Sequence, residues 1–222
     1  MNTQFNRLIV VSAFALTSAL ASHAVAHDVD VWITASGGML TTSGYDHDTG
    51  RITDPGLRVF GAEVGEDPMF PLAAFDPGFG SDLVGSSVQV MLAPALGLWN
   101  GSGFDPAGPT VLSTSYGSSF ADTAVGGSLS FLISEGFHVH PDYWLSEGAT
   151  PGIYLVALQL QGQGYESSDP FWFVFNLGMS EEDHDAAMGW VEANLVPGPG
   201  ALWIITALAG SRTVAGRRRE LR

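Results

Sequence analysis

Short apolar or alternating runs, separated by tight-turn signals, recur from residue 28 to residue 176 of this chain. The runs fall at 28–34, 57–62, 87–92, 128–134, 139–145, 153–161 and 170–176. Between them stand Gly37-Gly38, Asp54-Pro55-Gly56, Asp76-Pro77-Gly78, Asp105-Pro106 and Pro151-Gly152, the residues that turns demand. Alternation with period two puts successive side chains on opposite faces of a strand, so these runs read as strands with one buried face. Residues 153–160 and Phe171-Trp172-Phe173-Val174-Phe175 are apolar almost throughout, which predicts central strands covered on both faces. The expected fold is mainly β: a single antiparallel β-sandwich, jelly-roll-like or immunoglobulin-like, over residues 27–195.

One helix is expected after the last strand. Ser180 can cap it, with Asp183 three residues on and Glu181 and Glu182 where the helix dipole favours negative charge. His184, Ala187, Met188, Val191 and Leu195 share one face by their spacing, and that face is expected to pack on the sheets.

The two ends read as address labels. Residues 1–26 have the form of a secretory signal peptide, with Arg7 before the apolar LIVVSAFAL run. Small-x-small cleavage sites follow at Ala19-Leu20-Ala21 and Ala24-Val25-Ala26, and the second would make His27 the mature N-terminus. Residues 196–222 form a tail: Val196-Pro197-Gly198-Pro199-Gly200 breaks the chain, an apolar stretch follows, and Arg212, Arg217, Arg218, Arg219 and Arg222 close it. A helix over 201–215 would span roughly 22 Å, short of the ~30 Å hydrocarbon core, with the arginines held on the cytoplasmic side. This tail resembles the PEP-CTERM sorting signal, with Gly198 standing where that signal has glutamate. The resemblance implies transient inner-membrane anchoring through the tail helix and removal by an exosortase-type processing enzyme. Delivery would be to the cell surface or extracellular matrix of a Gram-negative-type bacterium. A plain C-terminal membrane anchor is the simpler alternative.

Charge narrows the partners. Between residues 27 and 196, Arg51 and Arg58 are the only cations against 22 acids, a net −20 with histidine neutral. Such a surface repels phosphate backbones, which argues against nucleic acid, and attracts divalent cations. The chain has no cysteine, so disulfides, thiolate metal sites and a cysteine nucleophile are all excluded. Gly-x-Ser-x-Gly, Walker A and Gly-x-Gly-x-x-Gly signatures are also missing.

The histidines are the selective signal. His138-Val139-His140 is a His-x-His pair whose period-two spacing sends both imidazoles to one strand face, where they can reach one ion. Asp142 continues that face unless Pro141 breaks the strand. His27, with Asp28 and Asp30 beyond it, could chelate through its imidazole and a free amine, the arrangement of a copper histidine brace. Asp28 and Asp30 could equally be the solvated face of a strand whose Val29 and Val31 point inward, although Trp32 shares the acid face. His184 is either a ligand or a hydrogen-bonded core histidine. His47 lies in Asp46-His47-Asp48-Thr49-Gly50, which has a calcium-loop flavour, but Leu57 occupies the position where a bidentate glutamate would be needed. The expected metal set is therefore His27, His138, His140, His184 and Asp142, with zinc as the ion and copper as the alternative.

The order of segments from His27-Asp28-x-Asp30 through Gly136-Phe137-His138-Val139-His140 to Ser168-Asp169-Pro170-Phe171 and Glu181–Trp190 resembles the Zur-repressed PEP-CTERM surface proteins. That resemblance implies expression under zinc shortage and a part in zinc capture or handling; it does not imply enzymatic activity. Two other readings compete. One is a copper oxygenase-like enzyme built on a His27 brace. The other is a matrix module binding exopolysaccharide or neighbouring proteins through loop aromatics such as Trp99.

Overall fold

The computed structural model describes residues 29–47 and 49–196; the signal segment, His27 and the tail from residue 197 lie outside them. In chain order the strands are β1 (Asp30–Ser36), β2 (Met39–Asp46), β3 (Arg51–Pro55), β4 (Val59–Glu63), β5 (Ala73–Ala74), β6 (Phe79–Ser81), β7 (Ser87–Leu92) and β8 (Gly97–Trp99). They continue as β9 (Phe104–Pro106), β10 (Leu112–Tyr116), β11 (Ser119–Asp122), β12 (Gly126–Leu132), β13 (His138–Val139), β14 (Asp142–Leu145), β15 (Gly152–Gly162) and β16 (Phe171–Leu177). The helix α1 (Glu181–Asn194) follows.

The chain is mainly β. A five-stranded sheet runs β13-β6-β1-β2-β3, and an eleven-stranded sheet runs β4-β16-β15-β7-β12-β11-β10-β14-β5 with β8 and β9 attached to β15. The antiparallel expectation needs correcting, because both sheets are mixed. β6 runs parallel to β1, and β4 runs parallel to β16. Parallel neighbours need long connections, and both pairs have them: four strands intervene between β1 and β6, eleven between β4 and β16.

Val31, Ile33 and Leu40 of the small sheet share one buried cluster with Phe60, Val88, Phe131 and Phe173 of the large one. Phe173 lies near its centre, with ring centres 5.7–6.0 Å from Phe60, Phe79, Phe171, Phe175 and Tyr143. On the far side of the large sheet Val59, Ile153, Leu155, Trp172 and Val174 pack against Ala187, Met188 and Val191 of α1. Residues 171–175 are thus covered on both faces, as their unbroken apolar run predicts. Ser180 caps α1 by accepting the Asp183 N–H at 3.2 Å. Among the described residues no helix is long and apolar enough to cross a membrane.

The expected single strand over 139–145 is divided. β13 ends in the small sheet at Val139, and β14 begins in the large sheet at Asp142. Pro141 lies between them and has no N–H to give a ladder. The division leaves His140 at the margin of the small sheet.

Candidate metal centre

Alternation along β1 sends Val31 and Ile33 into the core and leaves Asp30 and Trp32 on the outer face of the small sheet. β6 lies beside β1, with Trp32 opposite Gly80, and β13 beside β6, with His138 opposite Gly80. On the other flank Tyr45 of β2 lies opposite Asp30, and His47 follows two residues later in the β2–β3 turn. Asp30, His47, His138 and His140 are therefore gathered from β1, the β2–β3 turn, β13 and the residue that follows β13.

Two glycines make room for them. A Cβ at Gly80 would lie 2.7 Å from the Trp32 ring, and one at Gly78 would lie 2.8 Å from His140 Cε1. With no side chain at either position, the Trp32 and His140 rings lie directly over β6. Trp32 also stacks on Tyr45 at 5.0 Å, and Tyr45 meets His138 edge-on at 5.7 Å.

Asp30 organises the cluster. It is buried; its Oδ1 accepts the Gly78 N–H, and its Oδ2 lies 2.6 Å from His138 Nε2 and 3.6 Å from His140 Nε2. His140 Nδ1 is 2.9 Å from Asp76 Oδ1 and 3.0 Å from the Phe75 carbonyl. The ring centres of His138 lie 4.8 Å from those of both His47 and His140. One nitrogen from each of His47, His138 and His140 falls within 4.8 Å of the others, and the same holds for one ligand atom each of Asp30, Asp76 and His140.

The carboxylates set the charge. The Asp76 hydrogen bond raises the His140 imidazole to about 9, with Asp30 and the Phe75 carbonyl adding to it and partial burial opposing. Tyr143, buried behind the site, donates to the Pro77 carbonyl at 2.9 Å and so holds the Asp76-Pro77 turn. Burial, then Asp30 and Asp76, push its phenol well above the ordinary value.

This arrangement has the parts of a metal centre. Three imidazoles converge, and carboxylates grip the ring nitrogens on the protein side. Asp30 Oδ2 meets His138 Nε2, which leaves His138 Nδ1 for an ion; Asp76 Oδ1 meets His140 Nδ1, and His140 Nε2 faces Asp30 Oδ2 at 3.6 Å, so an ion at that nitrogen would be shared with the carboxylate.

The sequence-derived set is redistributed. His138 and His140 come together on one face. Asp142 does not join them: it sits on β14, exposed and opposite Ser115, because the chain changes sheets at Pro141. His184 is also elsewhere, fully buried on the sheet-facing side of α1, with Nε2 on the Val174 carbonyl at 2.9 Å and Nδ1 at 3.2 Å from Glu63. It is placed as a hydrogen-bonded core histidine. His27 falls outside the described residues. Sequence reasoning treated Asp30 as strand or brace decoration, His47 as a faint calcium loop and Asp76 as turn chemistry. The Gly78-Phe79-Gly80 alternation, which bares one face of β6, was the signal available for the missing members.

Comparison with protein-family models matches none of them, and comparison with curated proteins finds no match.

Proposed function

We propose that this chain is an exported, surface-sorted protein that binds a divalent metal, zinc foremost, and works in zinc handling rather than catalysis. The observation that carries the reading is the convergence of His47, His138 and His140 over a buried Asp30, in a domain of net −20. Zinc fits better than calcium or magnesium, because imidazole nitrogen suits zinc and hard cations prefer all-oxygen sites. The architecture that goes with this reading is a β-sandwich, of the jelly-roll or immunoglobulin-like kind, presenting the site on its smaller sheet.

The test is zinc titration by calorimetry with a competing chelator, from pH 6 to pH 9. His140 has its pKa raised to about 9 in the metal-free protein, so below that value an ion must displace its proton. Zinc affinity is therefore expected to climb with pH up to about 9, with proton release on binding. The metal-free fold changes in the opposite sense: the stabilisation from protonated His140 is complete below the ordinary imidazole value of ~6.5 and is lost as pH rises through the raised one. Zinc binding that is absent, or that is unaffected by pH, counts against the site.

Export and sorting rest on the two end segments. The helix α1 ends at Asn194, and Leu195 caps it through an N–H bond to the Val191 carbonyl. The last described helix is thus closed before the tail begins at residue 197. The truncated, secreted chain is expected to be folded and fully soluble, while the intact precursor fractionates with membranes. Membrane association that survives the deletion would contradict the tail's role.

A further inference from the structure

The outer face of the large sheet is covered by α1 only over β4, β16 and the first half of β15. Its remainder, from β14 across to the far end of β15, is open and has an unusual chemistry for this protein. In register, Asp142, Ser115 and Phe120 lie side by side on β14, β10 and β11; across β12, β7 and β15 one row reads Ser128, Met91 and Gln159 and the next Ser130, Gln89 and Gln161. In a domain with 22 acids, β7, β12 and the last turn of chain along β15 carry no charged side chain. Asp122, nearby, is occupied in capping its own turn, accepting the Ala124 and Val125 N–H groups at 2.9 Å.

We propose that this face binds a neutral polysaccharide laid across the strands. Serine hydroxyls and glutamine amides each donate and accept, which matches the alternating donors and acceptors of sugar hydroxyls. At the β15 end a cleft of about 290 Å³ is lined by Ser87, Gln89, Gln161, Gly162 and Gln163. At the β14 end Trp144 and Phe120 are exposed, and Phe70 stands edge-on to Trp144 at 5.6 Å, giving apolar ring surface for the C–H faces of a sugar. Six strands at ~4.8 Å spacing make a platform about 24 Å long, room for several sugar units. The face carries no cation, its β7, β12 and β15 strands carry no charge and its acids Asp142 and Asp122 lie toward the β14 end, so it favours a neutral polymer while the surrounding −20 field repels an anionic one. Trp99 has no part in it, since it is half-buried against Phe104 and Trp190 at 5.2 and 6.2 Å.

Affinity gel electrophoresis of the full chain tests this, with mixed-linkage β-glucan, dextran and galactomannan as neutral polymers and alginate as the anionic one. At least one neutral polymer is expected to retard the protein and alginate is not. Trp144→Ala, and separately Gln89→Ala with Gln161→Ala, are each expected to weaken retardation by ~10-fold while circular dichroism stays unchanged. Three results would overturn the proposal: no retardation by any neutral polymer, equal retardation of the variants, or a dimer that Trp144→Ala dissolves. Retardation abolished by a chelator would also overturn it, by moving the binding to the metal centre; with chelator present the two sites are read separately.

Discussion

The double substitution His138→Ala with His140→Ala is expected to reduce zinc affinity by more than ~100-fold while the domain stays folded. Losing a carboxylate that merely orients a ligand costs 10–100-fold, and here two of three converging imidazoles disappear together. The fold should tolerate the change, because both rings lie outside the core: His138 is half-buried over β6, and His140 sits at the sheet margin. Their removal leaves Asp30 with its Gly78 N–H bond and without an imidazole partner, a destabilisation that thermal unfolding would register. Calorimetry on wild type and variant, with circular dichroism as the control for folding, decides it. Undiminished zinc affinity in the variant would place the ion elsewhere.

The largest stability effect is expected at Phe173, in the core between the two sheets. Phe173→Ala removes a fully buried ring that meets five other aromatic rings between the two sheets. Such truncations cost ~3–5 kcal/mol, a large share of the 5–15 kcal/mol typical of a domain. The melting temperature is expected to fall on the order of 10 °C. One of the five neighbours is Phe79, which lies between the two glycines that floor the candidate metal centre. Loss of Phe173 should therefore lower zinc affinity only as far as it unfolds the protein. A variant that melts like wild type would show that the core does not hold the sheets together as described.

Much of the fold is legible in the sequence because hydrophobic burial leaves a local pattern. The run at 87–92 is β7 residue for residue, and the all-apolar 171–175 segment is buried along its whole length between β4 and β15. The Ser180 cap and the buried face of α1 follow from spacing alone. Strands such as β2, with its Thr41-Thr42-Ser43-Gly44 stretch, and the two- and three-residue strands β5, β6 and β8 leave too little periodicity to read. Parallel entry of β6 beside β1 is set by tertiary packing, which no local pattern encodes.

The same division runs through the site. The His-x-His pair is visible because both members sit in one strand-like segment. Asp30, His47 and Asp76 come from segments separated by up to 108 positions from His138 and joined only through sheet register. Asp142 illustrates the converse: it is two residues from His140 and yet belongs to the other sheet, because Pro141 ends the ladder. His184 was drawn in by residue type, although its face already pointed to a core role.

The central claim is that His47, His138 and His140 share one ion, and crystals of the mature domain grown with zinc test it most directly. An anomalous difference map recorded across the zinc edge is predicted to show one strong peak bounded by those three rings, with Asp30 and Asp76 on their protein side. No peak at that place, or the strongest peak beside His184 and Glu63, would contradict it.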